Sequence, residues 1–372
     1  MSSTTRLAAV VLLWISQMCL GDASVQALDF PAYGVSADGR VPIGVGRGPV
    51  PSPAYQWSEV GGTTLLGAIP DGHSTFAWGA SANGSVIAGS GSTDGFRWTA
   101  SQGFETYTSQ LGQPFWAYGV TGDGTTVVGR TLVGGLEVAA TVSAAGSLSV
   151  LGDLPGGRTE AKARGVSMDG GVIVGYGVSE DAEALGFSGY EAFRWTSEQG
   201  MIGLGSLPGD RYDTVANAVS ADGTVVVGLG TAADGAQEAF RWTADEGMTG
   251  LGRLSAVAWA ASRANDVSLD GSVIVGSSTS DGYPGQEAFI WDAEHGMRSL
   301  FDVLSEQYGL DLTGWQLNEA RGISDDGLTI VGNGRAPDGT FGGWVVRVPE
   351  PATLLFVGVG TAFLSRRRLN VA

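Results

Sequence analysis

The feature that most constrains the fold is a five-residue motif, Val-Ser-x-Asp-Gly, that recurs with small variations along the chain. Six of its copies run into a Val/Ile-rich stretch that ends in Gly. Asp-Gly between two short apolar runs favours a β-hairpin with a type I′ turn, and the β-branched run that follows suits a strand. Each copy therefore predicts a strand, a tight turn and a second strand. The seven copies are 35–39, 80–84, 120–124, 166–170, 219–223, 267–271 and 323–327.

The final glycine of each copy follows the previous one by 40 to 56 residues, a period typical of propellers and other repeat arrays. Each unit continues with a third strand that has an aromatic-x-Trp core and a fourth strand that begins at Gly. The third-strand cores are Tyr55–Trp57, Phe96–Trp98, Phe193–Trp195, Phe240–Trp242, Phe289–Trp291 and, more loosely, Trp344, with Ala139–Thr141 standing in the third unit. Four short strands per unit predict an all-β fold, a seven-bladed β-propeller with the aromatic pairs packed between blades.

The last unit departs from this pattern in two ways. It has no fourth strand after Trp344–Arg347. Closure of the ring by the short N-terminal segment Leu28–Phe30 is therefore a hypothesis, with an open twisted array as the alternative. Before this unit, Phe301, Leu304 and Tyr308 recur on one face of a helical pattern. We expect a short inserted helix there that caps or plugs the ring near its seam.

Composition excludes several classes of function. The formal net charge of −18 argues against nucleic acid or an anionic membrane surface as a partner. Cys19 is the only cysteine, and His73 and His295 are the only histidines. One cysteine cannot form a disulfide within the chain, and two histidines provide few residues for a zinc site or a histidine-based nucleophile relay. No metal or cofactor is predicted.

The N-terminal residues 1–27 have the pattern of a secretory signal peptide. Arg6 provides the basic start and Leu7–Ile15 the apolar core, and a small-residue cleavage site ends at Ala27. A retained membrane anchor is the alternative, but the apolar run is short for a span. Export is the expectation.

The C-terminal residues 349–372 combine three features in order. They are the tripeptide Pro349, Glu350 and Pro351, the apolar segment Ala352–Ser365, and a basic cluster, which consists of Arg366, Arg367 and Arg368. The positive-inside rule places the arginines in the cytoplasm and the repeats on the other side of the membrane. This layout resembles the PEP-CTERM sorting signal of Gram-negative bacteria. The resemblance implies a transient membrane helix, recognition and cleavage by an exosortase-type transpeptidase, and a mature protein at the cell surface or in the extracellular polysaccharide matrix.

The repeat units, within about residues 32 to 347, resemble the HAF-repeat family of extracellular bacterial proteins. The resemblance rests on Glu-Ala-Phe-Arg-Trp, Gly-Met-x-x-Leu-Gly-x-Leu-Pro-Gly and Val-Ser-x-Asp-Gly in this order. The first position of the name-giving motif is usually His, whereas here it is Glu191, Glu238 or Glu287. The resemblance to this family implies a repeat architecture and an extracellular location, but it implies no enzymatic activity. The expected domains are a signal peptide (1–27), a propeller (28–348) and a sorting signal (349–372).

The motif aspartates are expected to be turn residues, because Asp before Gly is what such a turn requires. Their spacing is not the Asp-x-Asp-x-Asp-Gly spacing of a calcium-binding loop. No glycine-rich segment is followed by the Gly-Lys-Ser/Thr sequence of a phosphate-binding loop. Only four acids, in the connections that lead to first strands, could reach the channel as a catalytic pair: Glu160, Asp210, Asp213 and Glu319. Solvated loop residues are the favoured interpretation, so no catalytic residue is predicted.

These observations favour an exported, non-enzymatic surface or matrix protein that binds exopolysaccharide or another protein. A glycosidase or lyase that uses channel carboxylates is the alternative, and a purely structural surface component is the third. An exposed row of aromatic side chains would favour sugar binding, whereas acids converging in the channel would favour an enzyme.

Overall fold

The computed structural model describes residues 23–46, 52–67, 69, 74–92, 94–184, 189–209, 211–257, 259–281 and 285–349. Within them, Ala23–Val348 forms one compact unit. It is an all-β propeller of seven blades, each of them a four-stranded antiparallel sheet. The predicted fold class and blade number are confirmed. The unit also includes Ser24–Ala27, which the sequence pattern assigned to the signal peptide.

Six blades follow the sequence order, with the first strand innermost. Blades one to three are β2 (Ala32–Val35), β3 (Pro42–Val45), β4 (Ala54–Ser58) and β5 (Gly62–Gly67); β6 (Thr75–Ala80), β7 (Val86–Gly91), β8 (Gly95–Thr99) and β9 (Gly103–Thr106); and β10 (Phe115–Val120), β11 (Thr126–Val133), β12 (Leu136–Ser143) and β13 (Leu148–Gly152). Blades four to six are β14 (Ala161–Val166), β15 (Ile173–Gly177), β16 (Glu191–Thr196) and β17 (Gly200–Gly203); β18 (Thr214–Val219), β19 (Val226–Thr231), β20 (Gln237–Thr243) and β21 (Gly247–Gly250); and β22 (Ser262–Val267), β23 (Ile274–Thr279), β24 (Gln286–Asp292) and β25 (Gly296–Ser299).

Blade seven is built from both ends of the unit. It contains β26 (Gln316–Ile323), β27 (Thr329–Arg335), β28 (Phe341–Arg347) and, as its outermost strand, β1 (Ser24–Leu28). Strand β1 pairs antiparallel with β28, with Val25 opposite Val346 and Leu28 opposite Gly343. A backbone hydrogen bond from Asp325 N to Ala37 O, 2.9 Å, joins blade seven to blade one. The ring is therefore closed, and the open-array alternative is wrong.

The turn in each repeat differs from the predicted type I′ turn. In the first copy Gly39 N donates to Ser36 O at 2.8 Å, so Ala37 and Asp38 are the central residues and Gly39, with φ +71°, follows them. The Ser36 hydroxyl donates to Asp38 Oδ1 at 2.6 Å and accepts from Val41 N at 3.0 Å. The serine and aspartate side chains thus hold a longer loop than the Asp-Gly pair alone implies, because they satisfy the backbone donors that such a loop leaves free.

The repeated aromatic residues pack between blades, as predicted. Phe193 of blade four is fully buried in a cluster with Val128 and Ala139 of blade three, and Phe240 meets Val174 across the next interface. The aromatic-x-Trp strands are therefore core, because each seals one blade against its predecessor.

In the described residues, three short α-helices connect strands: α1 (Tyr107–Leu111), α2 (Glu180–Ala184) and α3 (Leu300–Asp302). A π-helical turn, Val303–Gln307, continues α3. The predicted helix before the last unit is thus present. Leu300 and Leu304 pack against Trp344 on the flank of blade seven, so this helix braces a blade rather than plugging the channel. No helix in the described part of the chain is long and apolar enough to cross a membrane; the segment 350–372 lies outside it.

Candidate functional site: the central channel

The innermost strands surround a central channel that has a wide mouth and a narrower neck. The mouth is a cavity of about 520 Å³ and the neck one of about 150 Å³. The two cavities are continuous, because they share lining residues, among them Val35, Ala80, Val120, Val166 and Asp266. The channel is a funnel large enough at its mouth for a small ligand.

A ring of backbone hydrogen bonds runs around the neck from blade to blade. The third residue of the motif, written x in Val-Ser-x-Asp-Gly, varies between copies. In each copy the backbone N–H of this residue, or of the aspartate after it, donates to the backbone carbonyl of residue x in the next blade. The bonds are Asp38 N to Ala82 O, Ala82 N to Gly122 O, Gly122 N to Met168 O, Met168 N to Ala221 O, Asp222 N to Leu269 O, Leu269 N to Asp325 O and Asp325 N to Ala37 O, at 2.9–3.3 Å. The repeated motif therefore links each blade to the next around the neck.

A β-bulge in every innermost strand presents one residue to the mouth. The register against the second strand shifts at the same motif position in all seven blades, and such bulges re-aim a side chain. The residue that follows is small in six blades, because the neighbouring strand lies close: a Cβ on Gly79 would lie 3.1 Å from Gly119 Cα. The bulged residues are Tyr33, Trp78, Tyr118, Arg164, Asn217, Asn265 and Arg321, and all seven line the mouth.

The bulged residues of blades one to three form an aromatic wall, defined here as Tyr33, Trp78 and Tyr118. Tyr33 and Trp78 are 4.8 Å apart between ring centroids. The Trp78 indole donates to Ser90 Oγ at 2.8 Å, and the Tyr118 hydroxyl accepts from Arg130 Nε at 3.1 Å. All three side chains are half-buried. Trp78 and Tyr118 are thus anchored at their polar ends, and all three residues line the mouth.

Arginines from the other blades form a cationic wall, defined here as Arg164, Arg263 and Arg321. Arg164 donates to Asn217 Oδ1 at 2.8 Å, and Arg321 pairs with Glu319 at 2.9 Å. Arg263 has no hydrogen-bond or ion-pair partner among the described residues. Burial and the charges of Arg321 and Arg164 lower its pKa. It stays protonated, since guanidinium does not lose its proton in proteins, so the mouth holds an uncompensated positive charge.

Two acids that the sequence analysis did not select face the neck. Asp266 Oδ2 accepts from Ile323 N at 2.9 Å, and Oδ1 accepts from Val267 N. The Asp266 side chain lines the enclosed funnel. Desolvation there raises the pKa of its carboxyl to about 7, and the charge of Asp325 raises this pKa by a smaller amount. Burial raises the pKa of Asp325 to about 6. A signal existed in the sequence: Asp266 stands where five other units have Gly, and Asp325 where none of the others is acidic.

The four acids proposed as channel candidates have separate surroundings. Glu319 lies beside the cationic wall, bound to Arg321 and accepting from Asn333 Nδ2 at 3.0 Å. Glu160 accepts from the Tyr190 hydroxyl at 3.1 Å and pairs with Arg158. Asp213 accepts from the Thr231 hydroxyl at 3.2 Å, and Asp210 lies outside the described residues. Of the three acids that the structure describes, none lines the mouth or the neck.

The motif aspartates serve the turns. The hydrogen bond from the Thr121 hydroxyl lowers the pKa of Asp123, and that from Gly171 N lowers the pKa of Asp169. No group of three or more metal-ligating side chains occurs among the residues that the structure describes. Of the sorting motif, Pro349 follows the last strand, whereas Glu350, Pro351, Arg366, Arg367 and Arg368 lie outside those residues.

No family model matches the chain, and no curated protein sequence matches it. Solved propellers resemble its fold. The β-propeller domain of Cps50 (Swd1) from Myceliophteria thermophila is 10% identical, with 87% of this chain and 99% of that chain covered and a TM-score of 0.53. An oligogalacturonate lyase from Vibrio parahaemolyticus is 10% identical, with coverages of 88% and 92% and a TM-score of 0.51. TolB from Acinetobacter baumannii is 16% identical, with 71% of this chain and 63% of that chain covered and a TM-score of 0.49. The first two TM-scores show a shared fold, and identities this low show nothing of function.

Proposed function

We propose that this chain is an exported, non-enzymatic carbohydrate-binding propeller that takes a glycan segment into the mouth of its channel. The observation that carries the proposal is the aromatic wall. Its three rings come from equivalent bulges of three consecutive blades and share one cavity. An aromatic ring offers a large, rigid apolar face, which suits the C–H face of a pyranose.

The aromatic wall is not a requirement of the fold. The Phe-x-Trp residues recur in nearly every unit and pack between blades, where the phenylalanines are buried and the tryptophans are buried or half-buried. In contrast, the bulge position is aromatic in only three of seven blades, although all seven have the same bulge. A residue that the scaffold leaves free to vary, and that lies half-exposed in a cavity, is available for binding.

Location completes the proposal. The N-terminal signal pattern, the tail from Pro349 and the resemblance to HAF-repeat proteins support export, processing by an exosortase-type transpeptidase, and a mature protein at the cell surface or in the extracellular matrix. In that location exopolysaccharide is the abundant ligand, and other surface proteins are the alternative partners.

A second candidate function is a carbohydrate-active enzyme, glycosidase or lyase. Asp266 favours it, because a channel carboxyl with a pKa of about 7 could act as an acid or base near neutral pH. Both of its oxygens already accept backbone hydrogen bonds. This supports a structural role for Asp266 and ranks the enzyme second.

A glycan array probed with the full-length protein tests the proposal, followed by product analysis of every bound glycan. Trp78→Ala should abolish most binding, whereas Trp259→Ala should not, because Trp259 is 74% exposed and lies in a loop that does not line the mouth. Binding without cleavage supports the proposal, and cleavage establishes the enzyme. If no glycan binds, or if both variants lose glycan binding equally, a glycan site at the channel mouth is overturned and a structural role is favoured.

A further inference from the structure

The charge of the channel mouth is opposite to that of the chain. Acidic residues outnumber basic ones by 38 to 20, yet among the described residues the only charged side chains that line the mouth are the three arginines of the cationic wall and Asp266. Adding Glu319, which is bound to Arg321, still leaves an excess of positive charge. This concentration of arginine is a local feature of blades four, six and seven.

Two of the three arginines, Arg164 and Arg321, are held in place before any ligand arrives. Arg164 is fixed by Asn217, whose amide donates to Ala264 O at 2.8 Å in the next blade. The Arg164 guanidinium lies 5.1 Å from the Tyr176 ring centroid, and that of Arg321 lies 5.5 Å from Tyr33. Such anchoring reduces the entropy that binding costs.

Three guanidinium groups that face one cavity repel one another, and Arg263 has no acidic partner within ion-pair distance in the described residues. An anion bound between them would supply the missing counter-charge. Guanidinium presents several N–H donors in a fork that matches carboxylate and related oxyanions. The aromatic wall lies around the same cavity and would bear the ring of the same ligand.

We propose that the mouth recognises an anionic glycan, whose acidic group is held by Arg263 together with Arg164 and Arg321 while its sugar ring lies on the aromatic wall. This inference rests on the proposed function and adds the ligand class. The recognised chemistry is an oxyanion on a sugar, either the carboxylate of a uronic acid or a sulfate ester.

The test compares matched pairs of oligosaccharides by isothermal titration calorimetry on the full-length protein. A β-1,4-mannuronate hexamer and β-1,4-mannohexaose share a backbone and differ in carboxylate against hydroxymethyl, and dextran sulfate is compared with dextran for the sulfate arm. We expect the anionic member of at least one pair to bind about tenfold or more tightly. Arg263→Gln should weaken that binding about 10- to 100-fold, the range for a lost charged hydrogen bond, with little change for the neutral member.

Arg40→Gln is the matched control, because Arg40 carries the same charge, has an 83% exposed side chain and lies outside the mouth. Arg164→Gln provides a second channel variant, and thermal unfolding verifies that each variant folds. Equal affinity for both members of each pair, or wild-type binding by Arg263→Gln, would overturn the inference and leave the glycan site standing. Absence of binding to every glycan removes the proposed function too. Polyglutamate bound as tightly as the mannuronate hexamer would indicate an acidic protein partner instead.

Discussion

Leu28 offers a direct test of ring closure by strand β1. Its side chain is 4% exposed and packs with Phe30, Val331 and Val345. Replacing a buried Leu by Ala costs about 2–5 kcal/mol, since apolar contacts are lost and a cavity remains. We therefore expect Leu28→Ala to lower the free energy of unfolding by about 3 kcal/mol.

Thermal unfolding followed by circular dichroism or calorimetry measures this effect. An unfolding entropy of about 2.1 cal/mol/K per residue gives roughly 0.7 kcal/mol/K for Ala23–Val348, so the melting temperature should fall by about 4 °C. Leu65→Ala is the control, because Leu65 is 52% exposed in β5 and should change it by less than about 1 °C. If Leu28→Ala melts with the wild type, β1 does not close blade seven and the reasoning is refuted.

The same strand bears on the place of signal-peptide cleavage. Cleavage after Ala27 would remove four of the five residues that pair with β28 and leave that strand as an unpaired edge. Cleavage after Ala23, where the sequence Gly21-Asp22-Ala23 also has small residues at the required positions, would keep β1 whole. We expect N-terminal sequencing of the exported protein to begin at Ser24, and a mature protein that begins at Leu28 would contradict this.

Three further predictions concern pH, turn geometry and the tail. Because the pKa of Asp266 rises from about 3.9 in the unfolded chain to about 7 in the fold, its contribution to stability is complete below about pH 4 and falls by up to about 4 kcal/mol as the pH rises through 7. Asp266→Ala, which copies Ala218 of blade five, should flatten the pH dependence of urea unfolding between pH 5 and 8; an unchanged slope would contradict the assignment. Gly223→Ala should destabilise by about 1–2 kcal/mol more than Gly247→Ala, because both glycines have positive φ but only at Gly223 would a Cβ meet Val172, at 2.7 Å; equal melting temperatures would refute this. Deleting residues 349–372 should leave melting unchanged and abolish processing of the exported protein on an immunoblot, and an insoluble product would show that the domain boundary is wrong.

The repeat made the fold predictable, and side-chain chemistry within the repeat limited the detail. The spacing of the motif indicates blades, and the Phe-x-Trp alternation indicates their interfaces. The turn type was wrong because the Ser36 and Asp38 side chains bind the loop backbone. Their local hydrogen bonds compete with the two-residue turn that the Asp-Gly pair favours.

The channel residues were missed because strand alternation alone does not locate a bulge. The shifted register between Ala32 and Gly34 makes Tyr33 the bulged residue of its strand and brings it to the mouth, which Val35 also lines. The search for acids in the connecting segments gave Glu160 and Asp213, which lie outside the mouth and the neck. Asp266 and Asp325 were hidden inside the repeat itself, where the residue type departs from its equivalents.

This distinction between what repeats and what varies also argues for where function lies in the molecule. All seven blades share the bulge and, from blade to blade, the ring of backbone hydrogen bonds, so the scaffold imposes one geometry at seven positions. The bulge position accepts residues as different as Tyr33, Asn217 and Arg321, so folding requires only that the residue fits there. The separation of rings in blades one to three from guanidinium groups in blades four, six and seven is therefore not required for closure of the ring. It gives a symmetric scaffold a mouth with one apolar and one cationic side, which a ligand with a flat ring and an acidic substituent can enter in one orientation.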